Sequence, residues 1–383
     1  MMALALALPV PLRAFAEVDP NAASSQTSLT APTTGAASHA KDYNFSFTAG
    51  LGARLMNDRL TDSNQAGLRL ALEGDKYFTP ELSSTLKIYS YIYTGAASNL
   101  LTDEGKPFTG VLLNEISLTY KPWKPLQFQA GILETAFSSL PTSMIDSLGF
   151  PGSSEKVILG GDKLNVSLMS RQLIPTASTL GSRYLPNDTT PFLLINTLEL
   201  NSAVSSVLKL GASVAYFNFQ NLSQGAAQDS QFGGNTILGL GNTAAKYAYD
   251  FEGLESALEA QIKLTHKWDL DFRGAGILNV QAPDGHNQGI SGATKLSFTG
   301  SAYKLSGQVL YYYNQSDTLP ATYTSINYGN NNRSGPGGSL RVDLLKQSLS
   351  FYGTWIRASV ITQSPFQSDR NLVIFGAETT YAL

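Results

Sequence analysis

The sequence predicts an all-β fold: a transmembrane antiparallel up-and-down β-barrel of about sixteen strands, with short periplasmic turns and long extracellular loops. Three observations predict it. From Asp42 to the end, apolar residues recur with a period of two. The connections alternate between short turns and long polar segments. Ionisable groups avoid the parity that carries the large apolar side chains.

The composition agrees. Only 14% of the 383 residues are charged, against about 25% in ordinary globular domains. Mean hydropathy is −0.06, and nothing beyond the N-terminus approaches the ~18 apolar residues of a spanning helix. There is no cysteine, which excludes disulfide scaffolds, thiolate metal sites and cysteine nucleophiles. A net charge of −3 gives no reason to expect nucleic acid.

The chain opens "MMALALALPVPLRAFAEVD". Its apolar run ends in Ala14-Phe15-Ala16, an A-x-A cleavage pattern too short to span a bilayer, so residues 1–16 are expected to be a signal peptide. Residues 17–41 are small and polar, with little to bury. They are expected to form a flexible, low-complexity periplasmic lead-in, leaving 42–383 for the barrel.

The strands follow in order. "DYNFSFTAGLGARLM" alternates from Tyr43 to Leu55, "GLRLALEG" carries Leu68, Leu70 and Leu72, and "LKIYSYIYTG" sets three tyrosines two apart. "LLNEISLTY", "LQFQAGI", "DKLNVSLMSR", "FLLINTLEL", "VLKLGASVAYFNF", "SALEAQIKL" and "DLDFRGAGILNV" continue the alternation, and "NLVIFGAETTYAL" ends it. Turn chemistry marks the short connections, such as "YFTPEL", "YKPWKP", "LGGDK" and "THKW". The long ones fall near 57–64, 95–109, 136–155, 172–191, 221–246, 283–289, 316–336 and 361–370.

Charge parity supports a barrel over a soluble sandwich. Arg54 opposes Leu51 and Leu55, Glu115 opposes Ile116 and Leu118, and Glu255 and Glu259 oppose Leu254 and Leu258. A lysine or arginine on the lipid face at mid-membrane costs about 2–4 kcal/mol, so a barrel must segregate charge this way. Glu252 and Arg357 break the rule near strand ends, where charge is cheaper.

Catalytic chemistry finds little support. His39 lies in the lead-in, His266 in a turn and His286 in a loop, so none is held within a strand. No G-x-S-x-G, H-E-x-x-H or Asp-rich calcium loop occurs, and "GLGNTA" at Gly239 lacks a strand–turn–helix context. No catalytic residue, metal site or cofactor is expected.

The C-terminal "FGAETTYAL" alternates Phe375, Ala377, Thr379, Tyr381 and Leu383. Here the chain resembles the Gram-negative outer-membrane porin superfamily, of the 16-stranded general type. That family ends in a membrane strand, commonly with a terminal aromatic residue where this chain has Leu383. The resemblance implies a water-filled channel in the bacterial outer membrane for passive diffusion of small hydrophilic solutes and ions. It further implies a homotrimer surrounded by outer-membrane lipid, insertion by the barrel-assembly machinery, and a third long loop (136–155) folded into the lumen as a constriction.

A pore needs a polar lumen with a field. Arg54, Arg69 and Lys87 stand inward on three consecutive predicted strands, about 4.8 Å apart, and would form one basic wall if their heights match. The third loop, "ETAFSSLPTSMIDSLGFPGSSEK", carries Glu134, Asp146 and Glu155. The resemblance implies that these acids face the basic wall across an eyelet. Within the loop "GFPG" (Gly149 to Gly152) reads as a turn, and "LPTSMIDSL" as a single helical turn with Thr142 or Ser143 as cap. Trp123, Tyr120 and Trp268 beside short turns suit an interfacial girdle. Tyr89, Tyr91 and Tyr93 share the parity of Lys87 and are expected to line the lumen facing water. The alternatives are a substrate-specific channel, sugar-type for example, guided by those tyrosines, or a barrel with an adhesive or enzymatic role.

Overall fold

The computed structural model describes residues 42–383 apart from 101–105, 141, 143, 146–148, 162, 176–189 and 240–243. The signal-like start, the lead-in and Asp146 lie outside the described residues.

Sixteen antiparallel strands close into one barrel. In chain order they are β1 (Tyr43–Asp58), β2 (Thr61–Tyr77), β3 (Leu82–Asn99), β4 (Thr109–Trp123), β5 (Leu126–Glu134), β6 (Gly149–Gly160), β7 (Leu164–Leu173), β8 (Phe192–Ala203) and β9 (Leu208–Gln220). After β9 the chain makes helix α1 (Gln224–Phe232) and a small hairpin of β10 (Ile237–Leu238) with β11 (Lys246–Tyr247), both outside the barrel sheet. The wall resumes with β12 (Phe251–Lys263), β13 (Trp268–Asn279), β14 (Gln288–Thr299), β15 (Tyr303–Asn314), β16 (Arg333–Leu344), β17 (Leu349–Val360) and β18 (Arg370–Ala382). Each strand pairs with its neighbours along the wall, and β1 with β18 closes the ring, so no edge is left to hydrogen-bond into lipid.

The period of two sets the faces. Leu51, Leu118, Leu168, Leu198, Leu258, Val309 and Phe375 stand exposed on the outside, as a lipid-facing belt requires. Their sequence neighbours of opposite parity, such as Glu115, Ser117, Ser167, Thr197, Glu199 and Glu255, are buried inside. Trp123 and Trp268 are exposed beside the short turns, at the level of an interfacial girdle.

Two boundaries differ most from the expectation. The segment 57–64 is no long loop, because β1 runs to Asp58 and β2 begins at Thr61. Asp58 Oδ1 accepts from the backbone N–H of Leu60 (2.7 Å) and Thr61 (2.8 Å), and so closes a tight turn. The "GFPG" segment is no turn either. Gly149 to Gly152 open strand β6, which pairs with both β5 and β7. Pro151 lacks an N–H, yet its carbonyl still accepts from Ile174 N at 2.8 Å. The third loop therefore covers 135–148, shorter than expected. Of "LPTSMIDSL", Ile145 makes an isolated β-bridge with Thr324, and no described residue is helical. Helix α1 is small and polar, with Ser223 Oγ accepting from Ala226 N at 3.1 Å as its N-cap.

At the long-loop end the inward side chains turn apolar. Leu193 and Ile195 on β8, Phe217 and Phe219 on β9, Ile277 on β13 and Leu372 on β18 join one buried cluster with loop residues Phe137, Leu140, Met144 and Tyr323. Phe137 stacks on Phe217 at 5.3 Å between centroids, and Tyr323 on Phe219 at 5.5 Å. Each ring buried this way contributes about 2 kcal/mol. The third loop thus rests on β8 and β9 at Phe137. Met144 meets the far wall at Gly289 on β14, where an ideal Cβ would collide with its methyl group.

Candidate functional site

The interior of the barrel carries the polar and charged groups, and register decides which of them meet. Five consecutive strands contribute one inward row. Tyr91 on β3 faces Arg69 on β2, Arg69 faces Gly50 on β1, Gly50 faces Glu378 on β18, and Glu378 faces Ser350 on β17. Glycine at position 50 lets charges meet over the strand between them. Arg69 Nη1 reaches Glu378 Oε2 at 3.6 Å, and Arg341 Nη2 from β16 reaches Glu378 Oε1 at 2.8 Å. Arg341 Nε also donates to Asp343 Oδ1 at 2.7 Å. The result is a charge network laid over the seam where the barrel closes.

A parallel row is a glycine trough. Gly67, Gly52 and Gly376 lie side by side on β2, β1 and β18, with Tyr93 and Tyr352 at the two ends. An ideal Cβ on Gly52 would stand 3.3 Å from Tyr352 Oη and 3.7 Å from Tyr93 Oη. Both phenols therefore lie down along the wall, filling space that side chains at these positions would take.

The three basic residues do not form one wall at one height. Arg54 is level with Gln65 on β2, Arg69 stands four residues further along that strand, and Lys87 is level with Glu73, four further still. Each step is about 13 Å along the strand. Arg54 is buried, Arg69 pairs with Glu378, and Lys87 Nζ sits between Glu134 Oε2 at 2.7 Å and Glu115 Oε2 at 3.0 Å. Glu134, at the end of β5, is thus a direct partner of Lys87 and does not oppose it across an eyelet. Glu155 departs further from the expectation. It is registered with outward Phe128 and so stands on the outer face of β6. The reason is the unforeseen start of β6, which moves Glu155 from the loop into the wall and onto the parity of Val157 and Leu159.

The tyrosines separate. Tyr89 Oη donates to Glu73 Oε1 at 2.7 Å, and the Arg69 guanidinium lies 5.3 Å from its ring centroid. Tyr91 and Tyr93 are buried and stacked at 6.2 Å, and they cluster with Phe108. They do not form the water-facing ladder of hydroxyls expected of them, because Phe108, just before β4, folds over them.

The third loop is tied by polar contacts as well as rings. Ser139 donates to the Glu199 carboxylate from both N–H (3.0 Å) and Oγ, and Thr197 Oγ1 donates to Phe137 O at 2.5 Å. Arg171 donates to the carbonyls of Glu134 and Ala136. A second knot joins the other long loops. Asp317 accepts from Thr236 N at 2.8 Å and Thr236 Oγ1 at 2.7 Å, and Asn235 Nδ2 donates to Leu319 O at 3.0 Å. Burial pushes the Tyr328 phenol above its ordinary range, so it stays neutral where it stacks on Tyr312 at 4.3 Å.

His286 Nδ1 lies 2.7 Å from Ser316 Oγ and 3.4 Å from Asp317 Oδ2. Serine and aspartate share one ring nitrogen, whereas a triad needs them on opposite nitrogens. Among the described residues, no group of three or more His, Asp or Glu is placed to hold a metal ion. Sequence reading did not single out Glu378 and Arg341 as partners. Parity marks both as inward, but only the closing register brings them together.

No protein-family model matches the chain, and no curated protein matches it by sequence. Among solved structures it is similar to OprB of Pseudomonas putida, with 11% identity, TM-score 0.56 and coverage of 89% of this chain and 94% of that one. It is similar to a loop L8 deletion mutant of OmpT, an outer membrane protein of Vibrio cholerae, with 10% identity, TM-score 0.50 and coverage of 89% and 100%. It also matches the outer membrane protein OprD of Pseudomonas aeruginosa, with 11% identity, TM-score 0.47 and coverage of 90% and 94%. The likeness to OprB and to the OmpT variant establishes the fold alone, a closed antiparallel barrel.

Proposed function

We propose that the chain forms a water-filled channel in the bacterial outer membrane, passing small hydrophilic solutes and ions by diffusion and without catalysis. The observation that carries this reading is the segregation of charge. Arg69, Lys87, Glu115, Glu134, Arg341 and Glu378 meet inside a closed barrel whose outer face is apolar. Loop 135–148 is the constriction in this reading. Its support is the set of contacts from Phe137 to β9 and from Met144 to β14. The reading also carries a homotrimer, inserted by the barrel-assembly machinery, with outward Phe375 and Tyr381 continuing the alternation of β18.

A second reading, a channel selective for a particular solute, is favoured by Tyr89. Its ring lies between the Arg69 guanidinium and the Glu73 carboxylate, an amphipathic surface suited to a polyhydroxylated solute. Swelling of liposomes containing the refolded protein, with uncharged sugars of increasing size, tests both. A smooth fall in rate with size supports diffusion. A single sugar entering much faster than others of its size supports selectivity. No swelling with any sugar or salt contradicts both.

A further inference from the structure

One part of the outer face does not suit lipid. Glu155 on β6 is registered with Ser170 on β7, Ser170 with Asn196 on β8, and Asn196 with Tyr216 on β9. All share the face of exposed Leu168 and Leu198. Beside this row, Gln172 Nε2 donates to Glu155 Oε2 at 3.1 Å and to Ser170 Oγ at 2.8 Å, and Ser153 Oγ donates to Gln172 Oε1 at 2.8 Å. The other outward charged side chains among the described strand residues, Asp62, Lys76, Glu252 and Arg357, stand near strand ends. Glu155 is mid-strand, with Val157 and Leu159 between it and the short turn. Acyl chains offer no hydrogen bonds, so a mid-membrane carboxylate with a polar retinue points to protein on its far side.

We infer that the outward face of β6 to β8 is a contact surface between copies of this chain. Ser, Asn and Gln each carry both donor and acceptor, so the patch is chemically self-complementary. Glu155 can accept from Asn196 or Gln172 of the neighbour. Exposed Leu159, Leu164, Leu168 and Leu198 give it an apolar border. Copies inserted in the same sense are related by an axis along the membrane normal, and a patch centred on β7 meets itself about such an axis. The inference rests on the membrane placement in the proposed function and adds which arc of the wall the copies share.

The chain has no cysteine, so single cysteines report cleanly. Ser170→Cys and Asn196→Cys, oxidised with copper phenanthroline in intact outer membranes, are expected to give covalent dimers. Val309→Cys, exposed six strands away around the wall, is expected to stay monomeric. Monomers at Ser170→Cys and Asn196→Cys, or cross-links at Val309→Cys alone, overturn the inference. The double variant Glu155→Leu/Gln172→Leu is expected to lose its oligomer in mild detergent. An unchanged oligomer with a more stable barrel would mean that this face meets lipid. Ion conductance of the wild type separates the two ideas, since cross-linking without conductance removes the channel and leaves the contact.

Discussion

Arg69 on β2 and Glu378 on β18 meet 3.6 Å apart over Gly50 on β1, the register partner of both. Arg341 reaches the other oxygen of the same carboxylate. One acidic residue therefore ties the second strand to the sixteenth barrel strand and to the strand two before it. Glu378→Gln removes the charge and leaves two guanidiniums side by side. The expected outcome is a loss of about 2 kcal/mol in urea unfolding of the detergent-solubilised barrel. The reversal potential is expected to shift toward anions.

Lys87 bridges the carboxylates of Glu115 and Glu134. Lys87→Glu brings three carboxylates together in the lumen. Reversal potentials under a salt gradient are expected to move toward cations, and most strongly at low ionic strength, where screening is weakest. An unchanged potential would place this cluster off the ion path.

The glycine trough makes a steric prediction. An ideal Cβ on Gly67 would collide with the Ile92 carbonyl and come within 2.7 Å of Tyr93 Cγ. At Gly307, on the outer face, nothing lies within 4 Å. Gly67→Val is expected to abolish the heat-modifiable gel shift of the folded barrel, and Gly307→Val to preserve it.

Period two made the barrel legible, because lipid outside and water inside demand opposite chemistry on alternate residues. It failed where that contrast fails. "GFPGSSEK" shows few large apolar groups, so β6 reads as loop and Glu155 as an acid of the constriction loop. At the tops of β8 and β9, "FLLIN" and "AYFNF" are apolar on both parities, because Leu193, Ile195, Phe217 and Phe219 meet the loops inside. The site was legible as a set of inward charges and not as pairs. A shift of four residues between Arg54, Arg69 and Lys87 is invisible without register, and Phe108 covering Tyr91 and Tyr93 is a contact that no spacing announces.

Asp317 joins the loop after β15 to the loop after β9. Asp317→Ala leaves the barrel strands untouched and unties these loops. The expected outcome is faster proteolysis of the loops on intact cells, with the gel shift of the barrel unchanged.

In the proposed function, water and ions pass through this barrel beneath its tied loops. Planar-bilayer recording of the refolded protein tests it most directly. Discrete, ohmic conductance steps are expected, and they grow in Phe137→Ala/Met144→Ala, where the third loop loses its hold on β9 and β14. A folded, heat-modifiable protein that gives no steps in either form would contradict it.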